Sequence, residues 1–511
     1  MAEVSRRTAL LGGVAVAATS MLAACSSGSS SKAPMPLVDQ ASTPRPGQTV
    51  VSATVTPQLA DVDLGGVTAH TWAYDGVVPG KVLRARAGDF VQVTVNNTLP
   101  AATTIHWHGV HLRNPADGVP GVTQAPIAPG ARYGYAFTAQ NPGTHFFHPH
   151  VGAQLDRGLY APLIIDDPTE AGDYDAEWIV VLDDWTDGVG KNPDDILAAF
   201  QAQNGPVTDM NAMSGGPSMG GGMGSMPGMP GMSSMPGMGS GPSMDSGLGD
   251  AGDVAYPYFV LNGRISSAPT VFAARSGQRI RIRLINAAAD TVFRVALGGH
   301  TMRVTHSDGY RVQDKDTQAL WIAMGERYDV MVTAADGVFP LVAVPEGKKG
   351  QAMALLRSGA GGAPPAPVRP SELDTQPLAG ATDLVAADSA KLPGHKPDAT
   401  VPVHLNGQMS PYGWGINGKK YGQGTPLSVA TGQRLRMTIS NMTSMLHPMH
   451  IHGHTWSLPD SGGLRKDTVM VKPMQTITAD LQANNPGAWA LHCHNIYHSE
   501  VGMMTTLRYR T

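Results

Sequence analysis

The chain has 511 residues, enough for about three domains of ordinary size. It contains 61 glycines and 40 prolines, a share that suits many strands joined by tight turns and stays below that of a disordered chain. Charged residues make up 15%, which excludes a solvated coiled coil and an acidic disordered protein. The net charge is −4 and no block of lysine or arginine occurs, so nucleic acid is not expected as a partner.

The N-terminus predicts export. Twin arginines directly precede an apolar run, residues 9–24, which is too short to span a membrane comfortably and is typical of a signal peptide of the twin-arginine route. The run ends in LAAC, which resembles a bacterial lipobox. We therefore expect residues 1–25 to be a signal peptide, Cys25 to be lipidated and residues 26–45 to be a flexible tether in the cell envelope. An ordinary signal peptide with a chance cysteine is the alternative.

One strand pattern occurs three times along the chain. Each copy has a turn glycine, apolar and polar residues that alternate with period two, and an asparagine nine places after the glycine. The copies start 189 and then 155 residues apart, which is too long for a solenoid and predicts three homologous β-domains in an all-β protein. The copies are residues 88–97, 277–286 and 432–441.

Shifts in composition place the domain boundaries. We expect a first domain at residues 46–168 and a second at residues 169–357, with a methionine-rich insertion at residues 210–244. Residues 358–375 are rich in proline and glycine and form a linker. The third domain then covers residues 376–511.

Ten of the 18 histidines fall in four short clusters, and each cluster contains His-x-His. On a strand, residues i and i+2 project from the same face, so each such pair can aim two imidazoles at one place. Several converging pairs supply more nitrogen ligands than one metal ion uses, which predicts a multinuclear metal centre. The clusters are His106 and His108; His148 and His150; His447, His450 and His452; and His492, His494 and His498.

A second metal site is predicted on the opposite side of the last cluster. Cys493 lies between His492 and His494 and therefore points to the other face of the strand. With His498 and Met503 it supplies thiolate, imidazole and thioether. One more histidine would complete the His₂Cys site with a weak axial methionine that electron-transfer copper uses. This copper would be joined through the backbone to the multinuclear centre.

Over residues 46–511 these motifs resemble those of the multicopper oxidase (laccase-like) family. The resemblance implies three cupredoxin-like Greek-key β-barrel domains, four copper ions, and electron transfer from a donor through Cys493 to O₂, which is reduced to water. It also implies a type 1 copper held by His447, Cys493, His498 and Met503. It implies a type 2 copper at His106 and His450, and a type 3 pair at His108, His148, His150, His452, His492 and His494.

Two acidic residues are candidates for proton transfer, because reduction of O₂ to water consumes protons. Asp117 follows His106 by eleven residues, where related oxidases carry an acid; a turn aspartate before Gly118 is the alternative. Some relatives also carry an acid directly after the last histidine of the fourth motif. Here Ser499 takes that place, and Glu500, which follows it, is the candidate replacement.

The insertion at residues 210–244 contains ten methionines mixed with glycine, proline and serine. Such a segment cannot build a core and is predicted to be a flexible loop. Thioethers favour Cu(I), so the loop is predicted to collect cuprous ions; a low-complexity linker is the alternative. Met445, two residues before His447, resembles the substrate-side methionine of copper-tolerance oxidases. The candidate Cu(I) ligands are Met226, Met229, Met232, Met235, Met238 and Met445.

The favoured function is oxidation of Cu(I) coupled to reduction of O₂, in copper resistance, with Fe(II) and phenols as further donors. A laccase that acts mainly on phenols and a non-catalytic copper-binding envelope protein are the alternatives. A copper nitrite reductase is disfavoured, because such enzymes are usually two-domain chains. We expect a monomer whose membrane contact is a lipid anchor at Cys25.

Overall fold

The computed structural model describes residues 35–170, 172–208, 247–250 and 252–510. The predicted signal peptide, Cys25 and the methionine-rich insertion lie outside the described residues. So do the candidate ligands Met226, Met229, Met232, Met235 and Met238. The described chain is built mostly of β-strands, which confirms the prediction of an all-β fold.

The N-terminal part of the described chain contains nine strands: β1 (Val50–Val55), β2 (Pro57–Asp63), β3 (Thr68–Tyr74), β4 (Leu83–Arg86), β5 (Phe90–Asn96), β6 (His106–His108), β7 (Arg132–Thr138), β8 (Gly143–His148) and β9 (Ala161–Asp166). They form sheets in the orders β1-β5-β7, β2-β3 and β4-β9-β8-β6. Short 3₁₀ turns follow β6 and β8, at Asn114–Ala116 and Gln154–Arg157.

The middle part contains one helix, α1 (Pro193–Gln203), and twelve strands among its described residues: β10 (Ala176–Trp185), β11 (Tyr258–Leu261), β12 (Arg264–Ile265), β13 (Val271–Ala273), β14 (Arg279–Asn286), β15 (Phe293–Leu297), β16 (Met302–Ser307), β17 (Tyr310–Thr317), β18 (Leu320–Ile322), β19 (Arg327–Thr333), β20 (Val338–Pro345) and β21 (Ala352–Arg357). They form two sheets, in the orders β12-β11-β10-β14-β19-β16-β17 and β13-β21-β20-β15-β18.

The C-terminal part, as far as it is described, has helices α2 (Gly380–Asp383) and α3 (Ile496–Val501) and eleven strands: β22 (Ala399–Met409), β23 (Tyr412–Ile416), β24 (Leu427–Ala430), β25 (Arg434–Asn441), β26 (His447–Ile451), β27 (Trp456–Leu458), β28 (Leu464–Lys466), β29 (Thr468–Val471), β30 (Thr476–Gln482), β31 (Ala488–Cys493) and β32 (Met504–Arg510). Its sheets have the orders β23-β22-β25-β30-β27-β28 and β24-β32-β31-β26-β29. No helix among the described residues is long and apolar enough to cross a membrane.

The three copies of the sequence repeat form β5, β14 and β25, which have equivalent neighbours. Each pairs in parallel with one strand (β1, β10 or β22) and antiparallel with another (β7, β19 or β30). The glycines that open the copies, Gly88, Gly277 and Gly432, have φ of +99°, +83° and +87°. Glycine adopts this left-handed turn without steric cost. The repeat therefore records three related β-domains.

The asparagine that closes each copy holds the loop after its strand. The side-chain amides of Asn97, Asn286 and Asn441 each donate to at least two backbone carbonyls, and each side-chain oxygen accepts the N–H two residues later. Asn286, for example, donates to the carbonyls of Thr291 and Ile322, both at 2.9 Å. The amide has the donors and the acceptor that this buried position requires.

Replacement of Asn286 by alanine is expected to lower the free energy of unfolding by about 2–4 kcal/mol, because two buried carbonyls lose their donor. Equilibrium denaturation would measure the loss. Thr169→Ala is the control: the exposed Thr169 hydroxyl donates to Asp167 at 2.6 Å, and loss of such a hydrogen bond costs about 1 kcal/mol. A loss at Asn286 no greater than that of the control would contradict this role.

Candidate metal centres

The four histidine clusters meet between the N-terminal and C-terminal parts. β6 pairs with β8, which sets His106 opposite His148, and β26 pairs with β31, which sets His450 opposite His492. The two strand pairs face each other: the rings of His108 and His450 stack with centroids 3.8 Å apart. Eight imidazoles from sequence-distant segments therefore share one buried space.

The imidazole nitrogens of these residues converge in trios. Nε2 of His492 lies 3.0 Å from Nε2 of His452 and 3.4 Å from Nε2 of His150. Nε2 of His450 lies 3.4 Å from Nε2 of His106. Three trios have ligand atoms that all lie within 4.8 Å of one another: His106, His108 and His450; His108, His148 and His494; and His150, His452 and His492.

Burial keeps these imidazoles in the neutral form that binds metal. Burial, together with the charge of neighbouring imidazoles, lowers the pKa of His150 and His494 well below the usual range, and it lowers the pKa of His492 to about 3. Both ring nitrogens of His494 and Nε2 of His148 have no hydrogen-bond partner among the described residues. Buried nitrogens without a partner are costly, and bound copper would use them. The donor set therefore fits a multinuclear copper centre.

A second cluster lies on the other face of β31. Sγ of Cys493 is 3.7 Å from Nδ1 of His447 and 3.6 Å from Nδ1 of His498, and these two nitrogens are 3.0 Å apart. Met503 is fully buried beside them, and its carbonyl accepts from the N–H of Cys493 at 3.0 Å. Cys493 is a buried free thiol. Thiolate and two imidazoles converge here, and with a thioether they are the donor types of an electron-transfer copper site.

Asp117 lies between two of the clustered histidines. Its Oδ1 is 3.2 Å from Nδ1 of His106, and its Oδ2 is 3.0 Å from Nδ1 of His452. It also ends the 3₁₀ turn at Asn114–Ala116, so it has the position of a turn residue as well. Gly118 is required next, because its φ is +82° and a Cβ there would lie 1.8 Å from the carbonyl oxygen of Ile105.

Glu500 lies on α3 beyond the last cluster histidine, and its side chain makes no hydrogen bond or ion pair within the described residues. Burial raises the pKa of Glu500 to about 7. The side chain that approaches the cluster is that of Ser499, whose Oγ lies 3.4 Å from Nδ1 of His492. Proton transfer by Glu500 stays a prediction.

Asp467 is an acid beside the cluster that sequence reasoning missed. Its Oδ1 lies 3.2 Å from Nε2 of His108 and 3.5 Å from Nδ1 of His450. Arg327, at the start of β19, donates to both of its oxygens at 2.6 Å. Burial would raise the pKa of Asp467, but the Arg327 guanidinium holds it well below its usual range. Arg327 precedes Asp467 by 140 residues, so no sequence spacing indicates this contact.

A second missed acid, Asp253, covers the outer edge of the thiolate cluster. Its Oδ2 lies 2.9 Å from Nε2 of His498 and accepts from the hydroxyl of Tyr412 at 2.6 Å. Both the Asp253 and the His498 side chains have 0% exposure. The outer nitrogen of the other histidine, Nε2 of His447, lies 2.8 Å from Oγ1 of Thr443. Neither imidazole edge is open to a large molecule.

A small cavity lies next to this edge. Its volume is about 30 Å³, and methionine and carboxylate side chains are among those that line it. Met445 and Met324 contribute, with exposed fractions of 2% and 3%, and so does Asp290. Among the candidate Cu(I) ligands predicted from the sequence, Met445 is the one that falls in the described residues.

The fold and these two linked clusters define an oxidoreductase that carries several copper ions. Residues 57–170, 176–361 and 395–511 each match a domain family described as multicopper oxidase. The chain therefore belongs to the multicopper oxidase family, and its cofactors are type 1, type 2 and type 3 copper ions. The resemblance drawn from the sequence motifs is confirmed.

Named relatives and solved structures agree with this assignment. The chain is 48% identical over 506 residues to "Multicopper oxidase MmcO" of Mycobacterium tuberculosis (strain ATCC 25618 / H37Rv), which covers 97% of this chain and 95% of the relative. It is 28% identical to "Copper resistance protein A homolog" of Pseudomonas syringae pv. tomato, over 88% and 90% of the two chains. The laccase structure from Botrytis aclada shares the fold, with a TM-score of 0.71, 23% identity and coverage of 90% and 88%.

Proposed function

We propose that this oxidase takes Cu(I) as its physiological donor and acts in copper resistance. When bound, the coppers supply one-electron oxidation of the donor and four-electron reduction of O₂ to water. The proposed ligands of the type 1 copper are His447, Cys493, His498 and Met503. Those of the type 2 copper are His106 and His450, and those of the type 3 pair are His108, His148, His150, His452, His492 and His494.

The chain itself links the two clusters and positions a proton donor. Cys493 is bonded through the backbone to His492 and His494, so a few covalent bonds join the donor side to the O₂ side. Asp117 contacts both His106 and His452 and can take up a proton beside the O₂ site. These roles follow from contacts within the described residues and stay proposals.

A small donor is favoured because the outer edge of the proposed type 1 site, at Nε2 of His498, is buried. Asp253 buries Nε2 of His498, and the adjacent cavity of about 30 Å³ has room for a single ion. Met324 and Met445 line that cavity, and thioether sulfur is a soft ligand that selects Cu(I). The relatives named for copper resistance support the same conclusion.

Fe(II) is a second candidate donor. Two acidic residues occur at this edge: Asp253 contacts His498 through its carboxylate, and Oδ2 of Asp290 accepts from the backbone N–H of Asp253 at 2.8 Å. Oxygen ligands suit a harder cation than thioethers do. A comparison of donors on variants of the methionines separates the two possibilities.

Met445→Leu is expected to lower kcat/KM for Cu(I) about tenfold and to leave kcat/KM for Fe(II) and for a phenol unchanged, because leucine keeps the volume but removes the soft sulfur. O₂ uptake by copper-loaded protein measures all three. Met353→Leu, at a buried methionine of β21, is the matched control. Equal losses for every donor, or no loss for Cu(I), would contradict the proposed donor.

Deletion of residues 210–244 is expected to reduce Cu(I)-driven O₂ uptake at low micromolar Cu(I) and to leave phenol-driven uptake intact, because the deleted thioethers raise the local Cu(I) concentration. Uptake at saturating Cu(I) should approach that of the full chain. If the deletion changes the kinetics with no donor, the proposed Cu(I) collection by residues 210–244 is contradicted and the segment is a linker. Export, the lipid anchor at Cys25 and the monomeric state stay predictions from the sequence.

A further inference from the structure

Two methionines of the C-terminal part are exposed. Fourteen methionines lie within the described residues, and of these only Met442 and Met474 are exposed, by 40% and 69%. Methionine normally fills apolar gaps in protein cores, so an exposed pair in one place is unexpected. We call Met442 and Met474 the rim pair.

The backbone at Met474 does not suit methionine. Lys472, Pro473, Met474 and Gln475 form a turn in which the Gln475 N–H donates to the Lys472 carbonyl at 3.1 Å. Met474 occupies the third position with φ of +57°, where this kind of turn favours glycine or asparagine. A side chain that is mostly exposed gains little packing to offset that strain. Backbone strain that no packing of the side chain compensates is typical of functional positions.

The turn and the loop that carries Met442 are held together by one side chain. The Asn441 amide donates to the carbonyls of Met445, Val471 and Lys472 at 2.7, 3.0 and 3.1 Å. The Asn441 N–H also donates to the Gln475 carbonyl at 2.9 Å. Met442 and Met474 are each one residue from this last bond, so the two methionines occupy neighbouring positions at one end of β25 and β30.

The same loop leads from the surface to the donor edge of the type 1 site. Three residues after Met442 comes Met445, which lines the small cavity with Met324. Between them, Thr443 contacts Nε2 of His447 at 2.8 Å. Thioethers therefore occur at the exposed surface, in the rim pair, and again at the buried cavity, in Met445. His447, a proposed copper ligand, follows Met445 by two residues in the chain.

We propose that the rim pair is a surface site that takes up Cu(I) and passes it to Met445. This inference rests on the proposed function, since it supplies the donor to the same edge. Transfer needs only exchange of one thioether ligand for another on a monovalent ion, with no change of oxidation state. The rim pair is separate in sequence from residues 210–244, because its two thioethers belong to the C-terminal part.

The variant Met474→Gly tests this directly. Glycine suits the turn, so the melting temperature is expected to rise, while kcat/KM for Cu(I) falls about fivefold to tenfold through loss of one soft ligand. The double variant Met442→Leu/Met474→Gly should lose at least as much. Phenol-driven O₂ uptake should not change, and Met331→Leu, at a half-buried methionine of β19, is the control.

Binding of Ag(I), a monovalent soft ion that donates no electron, keeps this inference separate from the proposed function. In full-chain protein with ¹³C-methyl methionine, Ag(I) should shift the signals assigned to Met442 and Met474 through the variants, even if wild-type protein does not oxidise Cu(I). Unshifted rim-pair signals at Ag(I) levels that shift the Met445 signal would overturn the site. So would full retention of kcat/KM for Cu(I) in the double variant.

Discussion

Replacement of Cys493 by serine is expected to abolish the blue absorption of the copper-loaded protein and to reduce donor-driven O₂ uptake by at least about a thousandfold. Sγ of Cys493 is the soft donor within 3.7 Å of both His447 and His498, and a neutral hydroxyl does not replace a thiolate. The same residue provides the covalent link to the multinuclear cluster. One substitution therefore removes both the donor site and the path from it.

An absorption spectrum, copper analysis and O₂ uptake on the same sample measure this effect. Copper content should fall by about one ion per chain, while the multinuclear cluster stays filled, because its histidines lie on the other face of β31. Cys25→Ser is the matched control, since Cys25 is the chain's other cysteine. Blue colour or rapid O₂ uptake in the Cys493→Ser protein would contradict the proposed type 1 site.

Arg327→Lys is expected to reduce O₂ uptake about tenfold to a hundredfold with every donor. The substitution removes the bidentate ion pair that holds the Asp467 carboxylate, so Asp467 no longer orients His108 and His450. Lysine keeps the positive charge, so the fold is retained. Removal of the charge would leave the buried carboxylate of Asp467 less compensated and would destabilise the protein by about 3–5 kcal/mol.

The electron paramagnetic resonance spectrum separates this effect from simple destabilisation. The type 2 copper signal should change, while the blue absorption of the type 1 site stays as in the unmodified protein. Arg436→Lys is the control: Arg436 donates to both oxygens of Asp480 at 2.7 and 2.8 Å, and neither residue belongs to the metal clusters or lines the small cavity. An unaltered type 2 signal together with normal O₂ uptake would show that Arg327 has no influence on the cluster.

The sequence predicted the positions of side chains best where they follow from the alternation of residues along a strand. The alternation of a strand predicts His492 and His494 on one side and Cys493 on the other. In the structure β31 ends at Cys493, yet His492 and His494 both join histidine trios while Cys493 joins His447 and His498. The repeat of glycine, alternating strand and asparagine predicted three related β-domains. Its asparagines, such as Asn286, turn out to be loop anchors, which the repeat alone did not indicate.

Residues that act through tertiary contacts could not be found this way. Asp467 follows no motif, and its partner Arg327 lies in a different domain of the fold. Asp253 reaches His498 only because the chain after Gly252 packs against the Asp290 carboxylate. Glu500 was a candidate because of its place in the sequence, yet the helical turn at α3 brings Ser499 toward His492 instead. The contacts of these residues in the site are therefore not the ones that their positions in the sequence suggest.

The most direct test of the proposed function is the stoichiometry of O₂ uptake with Cu(I). Copper-loaded protein should consume one O₂ for every four Cu(I) oxidised and release no peroxide, at a rate far above that of the Cys493→Ser protein. Two Cu(I) per O₂ with release of peroxide, or a rate equal to that of Cys493→Ser, would contradict a Cu(I)-oxidising multicopper oxidase.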